Sequence, residues 1–463
     1  MINLSKEKNI MPVQDPNYRI NNFDEVALGY TLEQAQDEAK RCLDCKHKPC
    51  VQGCPVGIDI PRFINKVIEG QIEEAYQIIS ESSLLPSVCG RVCPQETQCE
   101  ALCVRANKGK SVAIGNLERF VADYHFEHEN MNPLRIESNH IKIAVIGSGP
   151  AGLTAANDLS KLGYEVDMYE ALHTPGGVLT YGIPAFRLPK DIVLREVEML
   201  KLQGVTLKTN IIIGQTIYLD ELFEMGYKAI FLGTGAGLPK FLGIPGEMLN
   251  GVYSANEFLT RINLMKAYEK RSQTPVQISK RVAVIGGGNV ALDAARCAKR
   301  LGAEDVYIIY RRSMKELPAR LEEVHHAIEE GIIFKMQMNA KEIIGNQDGF
   351  VQKIKCVDMI LGEPDESGRA RPIEDINSSH IIEVDTVIMA IGTTPNPLII
   401  QSNPDIDSTR SGCIITQNDS GETSKEMVFA GGDVVTGSAT VILAMGAGKK
   451  AAKAIDLKIK SIN

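Results

Sequence analysis

Apolar residues Ile58, Phe63, Ile64, Val67 and Ile68 recur at helical spacing, and Thr31 with Gln34 has the form of a capping box. The stretch from about residue 31 to 127 therefore reads as a set of helices, the later ones short and stopped at Cys-Pro pairs. A polar linker, 129–140, follows. The pattern then switches to strands: 141–146 is apolar and runs into Gly147-Ser148-Gly149-Pro150-Ala151-Gly152, a helix and the strand 165–169, which together make a βαβ unit. A second unit starts at Arg281, with strand 282–285, the turn Gly286-Gly287-Gly288-Asn289-Val290-Ala291, a helix to Leu301 and strand 306–310. Short strands ending in glycine turns, 230–235, 386–392 and 427–432, suit returning strands of one nucleotide domain interrupted by another. The two βαβ units are the internal repeat.

Composition narrows this picture. A chain of 463 residues fits roughly three domains. With 44% hydrophobic and 23% charged residues it is an ordinary globular chain, and a formal charge of -8 excludes a general nucleic-acid binder, which needs a basic surface. No run of about 18 apolar residues occurs and the first ten residues are polar, so neither a membrane span nor a signal peptide is expected. A cytoplasmic location follows as an expectation.

The glycine turns carry the candidate chemistry. In the first, Gly147 makes the turn, Gly149 admits a pyrophosphate and Gly152 allows close helix packing, while Glu170 is placed to accept from a ribose 2'-OH. An acid there disfavours a 2'-phosphate, so this site suits FAD or NAD. The second turn, with Gly286, Gly288, Asn289 and Val290, ends its unit in Arg311-Arg312 in place of an acid, which suits the 2'-phosphate of NADPH. A third feature, Gly431-Gly432-Asp433 followed by Thr440 and an apolar helix, could set a helix N-terminus against a flavin ring, with Asp433 orienting the ribityl chain or pyrophosphate. Taken alone, such a turn is more often structural. His325 and His326 lie in a charged helix, 320–330, and read as solvated; Cys297 reads as a small buried residue.

Cysteine placement is the most informative signal. Of 11 cysteines, Cys42, Cys45, Cys50, Cys54, Cys89, Cys93, Cys99 and Cys103 fall in the first quarter of the chain. The run Cys42-x2-Cys45-x4-Cys50-x3-Cys54-Pro55 approaches a bacterial ferredoxin pattern, and Cys89-x3-Cys93-Pro94-x5-Cys99-x3-Cys103 follows it. Structural zinc is the competing reading, but zinc favours paired Cys-x2-4-Cys knuckles. Spacing alone assigns four consecutive cysteines to each of two clusters. No Cys-x-x-Cys accompanies the second nucleotide unit, which disfavours a redox-active disulfide.

Several long segments, among them DPNYRINNFDEVALGYTLEQAQDEAKRCLDCK, VCGRVCPQETQCE, GGVLTYGIPAFRLPK and FAGGDVVTGSATVILAMGAGKKAA, resemble the glutamate synthase small-subunit family. Within it, the chain is similar to the type represented by the large subunit of NADH-dependent reduced ferredoxin:NADP oxidoreductase, or sulfide dehydrogenase flavoprotein. The resemblance implies an α/β fold class: a helical domain with two [4Fe-4S] clusters (1–135), an FAD-binding domain (136–265 and 391–463) and an inserted NADP(H)-binding domain (266–390), both Rossmann-like. It adds Gly177 to the FAD contacts. A similar N-terminal region in dihydropyrimidine dehydrogenase implies interleaved ligand sets, Cys42, Cys45, Cys50 and Cys103 for one cluster, and Cys54, Cys93, Cys99 and Glu118 for the other. Cys89 is then no ligand.

The activity implied is hydride exchange between NADP(H) and FAD with single electrons leaving through the clusters, the cofactors doing the chemistry. One expectation is an electron-transfer subunit that exchanges with ferredoxin or a small FAD/iron-sulfur partner subunit, by electron bifurcation. The other is delivery of NADPH electrons to a glutamate synthase large subunit. Both imply a hetero-oligomer; a zinc-stabilised nucleotide-binding scaffold without turnover is the non-enzyme alternative.

Overall fold

A computed structural model describes residues 3–128, 136–277, 279–365 and 368–462. The first part of the expected linker, 129–135, lies outside the described residues. Helix Leu32–Ala39 is capped by Thr31, whose side chain accepts from the Gln34 N–H while Gln34 reaches back to the Thr31 N–H. Helix Ile60–Glu69 turns Phe63, Ile64 and Val67 fully inward and stops at Gly70, where φ is +77°. Helix Ile114–His128 packs against Pro86–Val92 and Ile72–Ser80 and closes the helical domain. Inside it, Glu38 and Arg41 form a fully buried pair at 2.6 Å, and the Glu38 carboxylate also accepts from the N–H groups of Ala113 and Asn9. Those bonds offset the desolvation of the pair and tie three distant stretches of chain together.

Two parallel five-stranded sheets follow. In the first, Lys142–Ile146 lies at the centre, flanked by Glu165–Tyr169 and Thr206–Lys208 on one side and by Ala229–Leu232 and Val428–Ala430 on the other. In the second, Arg281–Ile285 is central, with Asp305–Tyr310 and Ile333–Met336 on one side and Thr386–Met389 and Val252–Ser254 on the other. The internal repeat thus extends from a βαβ unit to four strands of each sheet, the fifth, outer strand coming last in the chain in the first sheet and first in the second.

The domain boundary moves. Val252–Ser254 and the helix behind it, Ala255–Asn263, were expected with the FAD domain, which was drawn to 265; the strand instead pairs in register with Thr386–Met389 in the second sheet. Its three residues lack the apolar alternation that marks a strand, so only pairing identifies it. The outgoing and returning crossovers pair with each other, Leu238–Pro239 against Thr393–Thr394. An antiparallel ribbon, Met338–Gly345, Val351–Pro364, Ala370–Glu374 and His380–Glu383, extends the second domain.

The helical domain and first nucleotide domain share one hydrophobic core, running from Phe63 and Leu117 through Cys89 to Ile143, Leu153, Met445 and Ile455. A second core, around Val284, Leu292 and Ile308 of the second nucleotide domain, also takes in Val26 and Phe186. Among the described residues no helix is long and apolar enough to cross a membrane.

Candidate functional site

At the first glycine turn, strand Lys142–Ile146 delivers the chain to Gly147, whose φ of +97° and 2.5 Å approach of an added Cβ to Gly233 O admit no side chain. A Cβ on Gly152 would stand 1.9 Å from Gly147 O, so helix Pro150–Lys161 can press against the turn only with glycine there. Gly149 differs: a Cβ on it meets nothing within 4 Å. That open space, at the N-terminus of a 12-residue helix, is where a pyrophosphate would approach. Gly177, at φ +53°, lies over the turn, its added Cβ 2.9 Å from Gly149 Cα.

Glu170 does more than its position suggested. One carboxylate oxygen accepts from both the N–H (3.0 Å) and hydroxyl of Ser148, and the other from Leu172 N–H at 2.8 Å. Ser148 in turn accepts from Gly176 N–H at 3.0 Å. Three of about four acceptor positions are engaged in bracing the turn, which leaves one for a ribose hydroxyl. Ser148 was missed in the sequence because the fingerprint treats its position as variable; its hydroxyl within two residues of both turn glycines was the available signal.

Gly432, at φ +76°, packs against Ala151 and Ala444, bringing helix Val441–Ile462 onto the first glycine turn. Asp433 accepts from Ala439 N–H at 3.2 Å, and burial pushes its carboxyl up to about 6. Thr440 begins the last helix, its carbonyl accepting from Ala444 N–H.

At the second turn, Gly286 has φ +141° and Gly287 has Leu317 and Tyr310 against it, whereas an added Cβ on Gly288 comes no closer than 4.0 Å to Pro318. Asn289 opens helix Asn289–Arg300 and Val290 is exposed. The two arginines separate. Arg311 is exposed, while Arg312 is buried, donating to Ala370 O at 2.8 Å and pairing with Asp365 of the antiparallel ribbon. His325 is exposed as expected, but His326 is 8% exposed: the helix Leu321–Glu329 turns it into the junction with the helical domain, where burial lowers its pKa. Cys297 is fully buried.

The cysteines sort into two groups. Cys42, Cys45, Cys50 and Cys103 line one small cavity. Burial pushes the thiols of Cys42 and Cys50 up to about 11, and the neighbouring Cys103 pushes in the same direction. In the second group burial raises the thiols of Cys54 and Cys99, with Glu118 adding to both and Cys54 and Cys93 to Cys99. Burial likewise pushes Glu118 up to about 8, and its Oε1 has no hydrogen-bond partner. Cys89 also borders this group, since Cys93 and burial raise its thiol, but its sulfur lies 3.5 Å from Met445 Sδ in the shared core. Among the described residues no His, Cys, Asp and Glu side chains converge as a single-ion site, and none of the 11 cysteines is in a disulfide.

The partnerless carboxylate beside Cys54, Cys93 and Cys99, and the cysteine-lined cavity, are donor sets suited to iron-sulfur clusters. The open cradle at Gly149 suits a dinucleotide.

The chain matches two family models: dihydropyrimidine dehydrogenase domain II, 4Fe-4S cluster, over residues 19–130, and pyridine nucleotide-disulphide oxidoreductase over residues 141–449. It is 37% identical to the glutamate synthase [NADPH] small chain of Escherichia coli (strain K12), across 94% of this chain and 93% of that one. It is also 37% identical to the NADP(+)-dependent formate dehydrogenase subunit beta of Moorella thermoacetica, across 88% of this chain and 59% of that protein. Among solved structures, Mycobacterium tuberculosis FprA in complex with NADPH shares the fold, with a TM-score of 0.58 at 20% identity over 69% of this chain and 85% of that one.

Proposed function

Since the chain belongs to the glutamate synthase small-chain family of NADPH-dependent iron-sulfur oxidoreductases, we propose that it is an electron-transfer subunit joining NADP(H) to ferredoxin or a partner flavoprotein through FAD and two [4Fe-4S] clusters. It is an NAD(P)H-dependent flavin oxidoreductase. When bound, the flavin would supply hydride chemistry with the nicotinamide and the clusters single-electron transfer. Gly149, Glu170, Gly177, Asp433 and Thr440 would hold FAD, and Gly288, Asn289, Val290 and Arg311 would hold NADP(H).

One observation carries the reading. The helix Val441–Ile462, which starts beside the first glycine turn, reaches the cysteine domain directly: an added Cβ on Gly446 would stand 2.9 Å from Pro55 O, and Met445 touches Cys89. The Cys54, Cys93, Cys99 and Glu118 set therefore borders the flavin-side helix, and the family resemblance makes the Cys42, Cys45, Cys50 and Cys103 set the outer one. This placement supports an electron path from the flavin site through the inner set to the outer. The resemblance motivates bifurcation at the flavin. Capture of the tagged holoprotein from native extract tests the partner: recovery with a ferredoxin or small FAD/iron-sulfur subunit supports the proposal. Recovery with a glutamate-forming large subunit would establish the second reading, favoured by the near full-length match to a glutamate synthase small chain.

Nicotinamide preference should rest on Arg311. Arg311→Ala should raise the KM for NADPH about ten-fold or more, in line with roughly 1.5–3 kcal/mol for a charged hydrogen bond, with little change for NADH. Arg312→Ala should chiefly loosen the ribbon held by Asp365 and Ala370. Steady-state kinetics with both nucleotides checks this, and equal effects of Arg311→Ala on the two would overturn the assignment.

A further inference from the structure

The second glycine turn and the inner cysteine set lie in different domains with separate cores, yet one short segment touches both. Residues 317–321 cross over the turn, with Leu317 against Gly287 and Pro318 facing Gly288. The segment is fastened on the nucleotide side by Asn289, the first residue of helix Asn289–Arg300, whose side-chain oxygen accepts from Arg320 N–H at 3.0 Å. On the other side the Arg320 guanidinium, 8% exposed, donates to Arg91 O at 2.5 Å and to Gln95 Oε1 at 3.2 Å. Leu321 N–H donates to Glu96 Oε1 at 3.2 Å.

All three receiving residues bracket Cys93. Arg91 precedes it by two residues, and Gln95 and Glu96 begin the tight turn between Cys93 and Cys99. Gln95 is itself held: its amide donates to Cys89 O at 3.1 Å, and the Gly115 position on helix Ile114–His128 leaves no room for a side chain beside it. Glu118 is on that same helix, one turn on. A displacement of Arg320 therefore cannot be absorbed at Arg91 O or Gln95, because buried donors and acceptors left unpaired are costly.

Resting on the assignment of the second turn to NADP(H), we infer that Arg320 is a positioning residue that couples nucleotide occupancy to the Cys93–Cys99 turn. A pyrophosphate arriving at Gly288 and Asn289 meets the strap at Pro318 and accepts from the Asn289 side-chain amide N–H, pulling on the same side chain whose oxygen holds the Arg320 N–H. The strap then shifts, and Arg320 and Glu96 carry that shift to the backbone that presents Cys93 and Cys99. Coupling of this kind is reciprocal, so the state of the inner set also alters nucleotide affinity.

Hydrogen exchange of the oxidised holoprotein with and without NADP+ tests the inference, compared with a double variant, Arg320→Met with Glu96→Ala, checked for unchanged iron content. The expected result in the unaltered protein is slowed exchange over 286–291, together with a change over 91–99. In the double variant the effect over 286–291 persists and that over 91–99 is lost. In protein held reduced with excess dithionite, the spin-resonance signal of the inner cluster should respond to added NADPH in the first protein only, a difference that a merely structural role for Arg320 would not produce. An unchanged 91–99 segment in the unaltered protein, or a change that survives in the variant, overturns the coupling while leaving the nucleotide site intact. No response over 286–291 in either protein overturns the nucleotide assignment and the coupling with it.

Discussion

Glu118→Ala is expected to alter one iron-sulfur cluster and spare the other, whereas Cys89→Ser keeps both. Five groups, Cys54, Cys89, Cys93, Cys99 and Glu118, are electrostatic neighbours, and a [4Fe-4S] cluster would take four of them. Two physical facts separate Glu118 from Cys89. A buried carboxylate with an unpartnered oxygen is costly to maintain, and burial alone has pushed it up to about 8. A thiol packed against Met445 in an apolar core is ordinary, because free cysteine behaves as a small hydrophobe. The carboxylate is therefore the group whose burial a bound cluster would account for. Replacing that ligand should change the potential and spin-resonance signal of the cluster on Cys54, Cys93 and Cys99. Cys89→Ser should lower the melting temperature through its buried hydroxyl, at a cost of about 1–3 kcal/mol, with iron and acid-labile sulfide unchanged. Loss of half the iron in Cys89→Ser beside an unaltered Glu118→Ala protein would restore the scheme of four consecutive cysteines per cluster.

Gly149→Val is expected to yield folded protein without FAD. The two glycines of the first turn that might be substituted behave oppositely. An added Cβ on Gly152 would meet Gly147 O at 1.9 Å, so even Gly152→Ala should disrupt the turn and the helix behind it. The space around a Cβ on Gly149 is empty to 4 Å, and its φ of −72° suits any residue. Valine there leaves the apoprotein fold in place and fills the approach to the helix N-terminus. The checks are the flavin absorbance and melting temperature of each purified variant. FAD retained at normal occupancy in Gly149→Val would show that the cradle is elsewhere.

Much was legible in the sequence because its signals are local. A glycine turn needs particular residues within six positions, and the strand before and helix after it are neighbours in the chain. Gly147, Gly149 and Gly152 consequently stand where the pattern placed them, as do Gly286 and Gly288. Eight cysteines in the first quarter of the chain were likewise enough to announce ligands. Spacing could not partition them, since Cys103 joins Cys42, Cys45 and Cys50 around one cavity across some fifty residues of intervening helix.

The remaining differences share a cause. Arg311 and Arg312 are equivalent as neighbours in sequence, but in the bend just past strand Asp305–Tyr310 one faces outward and the other is turned onto Asp365 and Ala370, more than fifty residues later. His326 looked solvated amid charged residues because its helix packs against a domain some two hundred residues upstream. Val252–Ser254 is a strand by virtue of pairing with Thr386–Met389. Local spacing of Gly, Cys-Pro and apolar residues thus determined by itself that this chain has a helical cysteine domain and two nucleotide turns. Which cysteines stand together, which arginine faces solvent, and how Arg320 joins two domains depend on contacts between residues far apart in the chain, whose geometry exists only once the separate cores have packed.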